Sequence, residues 1–163
     1  MLNNLKQFVP SNVCLKCDGC CQFKSEDSPW RPKTGAQEGF EASVDEKGYV
    51  KAIAACGNHF CQFFNTDNHH CKVYDKRPLE CALYPFILSR AGNDVNVFVH
   101  LACPYVQDTQ STDLLTDHVS YLKDLFHRAD VKDFLKRNKR LLHDYLPFKD
   151  ELLFLFPIED FHL

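Results

Sequence analysis

Cys14-Leu15-Lys16-Cys17-Asp18-Gly19-Cys20-Cys21 places four thiols within eight residues. A lone cysteine packs as a small apolar side chain. Four of them beside Lys16 and Asp18 do not suit a core, and they point to soft-metal ligation instead. The spacing Cys14-x2-Cys17-x2-Cys20 lets three thiolates on a loop wrap around one centre. Bacterial ferredoxins open the same way, then set a fourth cysteine three residues further on, before a proline. Lys24 occupies that fourth position, so the block cannot close on itself. Side chains of adjacent residues tend to diverge, so Cys20 and Cys21 are expected to face two neighbouring sites or two edges of one cluster.

Working outward, five more cysteines follow: Cys56, Cys61, Cys71, Cys81 and Cys103. Cys61, Cys71 and Cys81 recur at a regular interval, and Cys103-Pro104 closes the set. With Cys56 as a spectator, eight thiols remain. They suffice for two four-cysteine sites, or for one site plus a redox or substrate-binding group. Closed structural zinc sites take four thiolates, and iron–sulfur clusters also take four. Spacing does not separate the two. The Cys-x3-Cys-x2-Cys signature of radical adenosylmethionine enzymes is absent, as are GxGxxG and Walker motifs.

The 163-residue chain suits one domain, and its 45% apolar and 25% charged residues are ordinary for a globular protein. A net charge of −3 gives no reason to expect nucleic acid or an anionic membrane as partner. The first residues lack the apolar run of an export signal. The longest strongly apolar patch, Leu152 to Phe156, stops at Pro157, short of a membrane span. A cytoplasmic protein with reduced thiols is expected, and the odd cysteine count also argues against a disulfide framework.

Three parts are visible along the chain. Residues 1–48 are broken by Pro29, Pro32, Gly35, Gly39 and Gly48, with a long loop from about 25 to 48. A β-rich unit follows. Tyr49 to Ala55 reads as a strand. Pro85–Arg90 and Val95–Leu101 flank the turn Ala91-Gly92-Asn93-Asp94, with Val95, Val97, Val99 and Leu101 alternating on one face. Residues 111–146 read as two helices. In the first, Leu115, Val119, Leu122 and Phe126 share a face, behind Ser111, Thr112 and Asp113 as N-cap candidates. The second carries Val131, Phe134, Leu135, Leu141, Leu142 and Tyr145 and stops before Pro147. The apolar tail from 148 is expected to dock on the core. The expectation is a small α+β fold: an irregular, metal-stabilised cysteine-cluster region over 1–110 with a β-hairpin, and a helical extension over 111–163 packed on it as one domain. Metal binding can supply folding free energy that such an irregular region does not gain from burial.

CLKCDGCC at 14–21 and CKVYDKRPLECALYP at 71–85, taken together, resemble the CxxCxxCC (YkgJ-type) cysteine-cluster family. Its signature continues C-x-[IV]-Y-x-x-R-P-x-x-C-x-x-[FY]-P, which Cys71, Val73, Tyr74, Arg77, Pro78, Cys81, Tyr84 and Pro85 fit. Cys61 fits the intervening cysteine and Cys103-Pro104 the late Cys-Pro. The resemblance covers roughly 14–105 and implies eight metal ligands: Cys14, Cys17, Cys20, Cys21, Cys61, Cys71, Cys81 and Cys103. It implies no settled activity. Relatives include proteins labelled iron–sulfur oxidoreductases and the longer flagellin lysine N-methylases. Three departures stand out: Asp18-Gly19 in place of Gly-x, Ala82 where arginine is frequent, and Tyr105 where glycine is frequent.

Around the thiols, Arg77 is expected either to balance thiolate charge or to pair with Asp75 or Glu80. Tyr74 and Tyr84 are expected to pack beside the site. His59, His69 and His70 read as loop residues, and Lys132, Lys136, Arg137, Lys139 and Arg140 as a solvated helix face. No catalytic constellation is legible. The expected function is metal binding, as an iron–sulfur centre for electron transfer or another redox or transfer reaction with an unidentified protein or redox partner. The alternatives are a zinc-stabilised, non-catalytic partner-binding module and an enzyme like the lysine N-methylases.

Overall fold

A computed structural model describes residues 5–36 and 38–163. It is an α+β arrangement built on two sheets and a short two-stranded ladder. The larger sheet has strands β6 (Phe86–Ala91), β7 (Asp94–His100) and β8 (Leu152–Pro157), in that order and all antiparallel. The hairpin read from the sequence is present: Ala91 pairs with Asp94 across Gly92-Asn93. Gly92 has φ +65°, a conformation that glycine adopts without steric cost.

Val95, Val97 and Val99 lie completely buried on one face of β7, as the alternation predicts. They meet α4 (Asp113–His127) and α5 (Ala129–Arg137) in the main core, with Leu122, Phe126, Val131 and Leu135. His118 also lies on the inner face of α4 and stacks on Phe86 at 5.0 Å. Burial lowers its pKa to about 4, so the imidazole packs there as a neutral ring.

The other face of β7 is covered too, which period two alone does not predict. Phe98 joins Tyr145 and Leu152 in a separate cluster, and Trp30 stacks on His100 at 4.1 Å. Trp30 brings the 25–48 segment to this face, and polar side chains pin that segment in place. Arg31 pairs with Asp45 at 3.0 Å. The Glu38 carboxylate accepts from the backbone N–H of Gly35 and of Leu79, at the start of α2 (Leu79–Leu83). Glu80 accepts from Lys33 N–H at 2.6 Å.

Two element boundaries differ from the sequence reading. The second helix ends at Arg137 rather than running to Tyr145. Asn138 leaves helical geometry at φ −117°, ψ 46°. Its amide donates to Phe134 O at 2.8 Å and its Oδ1 accepts from Ala36 N–H at 2.7 Å. The apolar tail does dock on the core, and it does so as a strand: β8 pairs with β7 along Asn96–His100.

The smaller sheet has β1 (Gln22–Phe23), β3 (Asn58–Cys61) and β2 (Ala52–Ala55) in that order. Tyr49 and Val50 stand outside β2, in isolated bridges to Lys33 and Val44. A short ladder of β4 (Phe64–Asn65) and β5 (His70–Cys71) follows. Phe23, Val50, Phe60, Cys61 and Phe64 make its modest core. Among the described residues no helix is long and apolar enough to cross a membrane.

Candidate metal centre

All but one of the expected ligands stand at the end of an element or on a turn, where a few fixed backbone positions aim a side chain inward. Cys14 ends α1 (Ser11–Cys14), while Cys20 and Cys21 share the 3-10 turn Gly19–Cys21. Cys61 and Cys71 end β3 and β5. Cys81 lies within α2, and Cys103 precedes Pro104 at the start of α3 (Pro104–Thr109). The eight thiols Cys14, Cys17, Cys20, Cys21, Cys61, Cys71, Cys81 and Cys103 all line one cavity of ≈ 480 Å³. Cys56 lies elsewhere. It is exposed at the tip of the β2–β3 hairpin, with φ 51° beside Gly57 at φ 77°.

The thiols surround the cavity without meeting at a point. Among the described residues no three His, Cys, Asp or Glu side chains converge as a ready metal group. Cys20 and Cys21 share one 3-10 turn, and their mutual influence draws the Cys20 pKa down and holds the Cys21 proton on. Burial pushes the Cys61 thiol up to about 11 and raises Cys14, Cys71, Cys81 and Cys103 as well. The walls therefore resist bare thiolate charge, so deprotonation needs a compensating cation.

Arg77 supplies positive charge at the wall. Its field pulls the Cys14, Cys20 and Cys71 pKa values down against burial and neighbouring thiolates. The guanidinium donates to Tyr74 O and Gln7 Oε1, both at 2.7 Å, and lies 4.1 Å over the Tyr74 ring. It makes no ion pair with Asp75 or Glu80, the alternative its sequence neighbours offered. Among the described residues its Nε is buried without a hydrogen-bond partner. The site thus holds sulfur donors together with an unsatisfied N–H donor suited to a thiolate- or sulfide-rich centre. In kind and number the residues fit a thiolate-bound metal group.

Sequence reasoning placed Tyr84 beside the site but did not single out the side chains that it meets there. Tyr84 lies among Cys20, Cys103 and Cys17, and burial raises its pKa, so the phenol keeps its proton. Its hydroxyl lies 3.2 Å from His100 Nδ1, and His100 Nε2 lies 3.7 Å from the Glu151 carboxylate. Trp30 is stacked between His100 and Tyr145, with Phe148 tilted against it. These contacts join residues up to 121 positions apart (Trp30 and Glu151), so no local pattern could reveal them. His69 lines the cavity and approaches Asp18 at 3.7 Å.

No curated protein and no solved structure matches the chain. A family model does match, over residues 13–113: CxxCxxCC, described as a "putative zinc- or iron-chelating domain". That span contains the double-cysteine block, the Cys71–Pro85 stretch, the late Cys-Pro and all eight cavity thiols. This chain belongs to the CxxCxxCC family and is a metal-binding cysteine-cluster protein.

Proposed function

We propose that the cavity holds an iron–sulfur centre and that the protein serves electron transfer. One observation carries this reading: eight thiols stand around a space of ≈ 480 Å³ rather than closing on a point. A closed zinc site, with Zn–S near 2.3 Å, would draw its four sulfurs to within roughly 3.8 Å of one another. Eight thiols lining one such space suit a core of several atoms. When bound, an iron–sulfur group supplies a one-electron couple whose potential follows net charge, hydrogen bonding and exposure.

The chain's own residues define the surroundings of that couple. Apolar walls from Phe23, Phe63, Phe64 and Ile87 exclude water and oppose added negative charge. Arg77, held rigid by Gln7 and Tyr74, offsets that charge from a fixed distance and keeps Nε–H as a donor. Tyr84 retains its proton beside the thiols and points its hydroxyl at His100. The test is optical. Anaerobically purified protein is expected to show broad visible charge-transfer absorption that bleaches with dithionite. A protein that binds metal stoichiometrically yet has no visible absorption would contradict the proposal.

A further inference from the structure

The eight thiols share a cavity, yet they do not belong to one packing unit. Cys14 and Cys103 pack with the main core, beside the sheet β6–β7–β8 and its helices. Cys21 and Cys61 pack with the small core of β1–β3–β2, around Phe23, Phe60 and Phe64. Backbone placement extends this division. Cys71 ends β5, paired with Phe64 only three residues beyond Cys61, so both ride on the same run of short ladders. Cys17 lies on the turn just after α1, with its sulfur 3.6 Å from where a Gly19 Cβ would stand. Its backbone N–H donates to Cys14 O at 3.2 Å, which keeps it beside Cys14.

Cys81 stands on α2, whose Leu79 and Leu83 pack in the main core, and Cys21 shares the Tyr84 surroundings with Cys17 and Cys103; the thiols nearest to Cys81 and Cys21 nevertheless include Cys61. Cys81 lies near Cys61 and Cys71, Cys61 near Cys71, and Cys21 near Cys61 and Cys81. Cys14 and Cys103 each lie near Cys17. Cys20 is near members of both groups.

We infer that the cavity holds two metal centres rather than one, the first ligated by Cys21, Cys61, Cys71 and Cys81 and the second by Cys14, Cys17 and Cys103 with Cys20 completing it at the boundary. Four sulfur donors per centre match what either zinc or an iron–sulfur cluster takes. The inference rests on the cavity being the metal site, but not on which metal fills it. Cys20 and Cys21, adjacent in the 3-10 turn, then mark where the two centres meet. Arg77, which acts on Cys14, Cys20 and Cys71, faces both.

The experiment counts total iron plus zinc per chain in anaerobically purified wild type, in Cys61→Ser/Cys81→Ser and in Cys14→Ser/Cys103→Ser. Each pair of substitutions is expected to remove about half of the metal and leave the other half in place. Loss of all metal from both variants, or no loss from one, would overturn the partition. Wild type devoid of metal would instead overturn the metal reading itself. Zinc in place of iron would overturn only the iron–sulfur reading. Because a doubly substituted chain can fail to fold, the intact wild-type holoprotein provides a second arm. It is exposed to increasing chelator, alkylated with iodoacetamide, and mapped by peptide mass spectrometry. Cys21, Cys61, Cys71 and Cys81 should become reactive as one group, and Cys14, Cys17, Cys20 and Cys103 as another. Simultaneous release of all eight, or groups that mix the two sets, would contradict the inference.

Discussion

At Arg77 three contacts fix one guanidinium: the Tyr74 carbonyl, the Gln7 amide oxygen and the Tyr74 ring. A charge so held lowers the free energy of nearby thiolates, and it favours whichever state of a bound centre is more negative. Arg77→Gln is therefore expected to lower the reduction potential of the centre by several tens of millivolts and to weaken metal retention. Voltammetry would check the first, and metal per chain after dialysis the second. An unchanged potential would show that the guanidinium plays only a packing role. Glu80 makes a second prediction at this scale. Desolvation pushes its carboxyl up to about 8 from an ordinary 4.5. Between those values the folded chain holds a proton that the unfolded chain releases. Its contribution is thus fully present below the lower value and is lost as pH rises through the upper one. Glu80→Gln should flatten this slope, gaining on wild type between about pH 5 and pH 8 in denaturation experiments. Parallel pH profiles would contradict it. Cysteine spacing made the cavity thiols legible because closely spaced thiols are a local pattern. Tyr84 was marked by its place in the signature, whereas His100 and Trp30 carried no such mark, since only tertiary packing brings them to it.

Among the elements, the β6–β7 hairpin and α4 were readable because each carries its own signal: a two-residue turn followed by alternating valines, and apolar residues at helical spacing. The end of α5 was not. Leu141, Leu142 and Tyr145 continue an apolar pattern, while the residue that stops the helix acts through a contact with Ala36, far away in sequence. Asn138→Ala removes both that bond and the one to Phe134 O, leaving Ala36 N–H without its acceptor. A loss of roughly 1–3 kcal/mol in chemical denaturation is expected. A change near zero would mean that water replaces the amide. Strand β8 was hidden for a different reason. Leu152 to Phe156 is continuously apolar and shows no period of two. Its ladder partners are bulged between Val97 and Phe98, which shifts the faces of neighbouring residues.

Across the whole molecule, apolar burial is uneven. Val95, Val97, Val99, Leu122, Phe126, Val131 and Leu135 belong to one large core. The sheet that carries Cys61 rests on only five buried apolar residues. So small a core offers little free energy against chain entropy, and on the proposed reading ligation closes the difference. Metal removal is expected to abolish hydrogen-exchange protection in β1–β5 while β6–β8 and α4 stay protected. Uniform loss would show that the two parts unfold together. The central claim is that these thiols hold an iron–sulfur centre, and quantifying iron, zinc and acid-labile sulfide in anaerobically purified protein tests it most directly. The account predicts iron and sulfide in matching, stoichiometric amounts. Stoichiometric zinc without sulfide would contradict it.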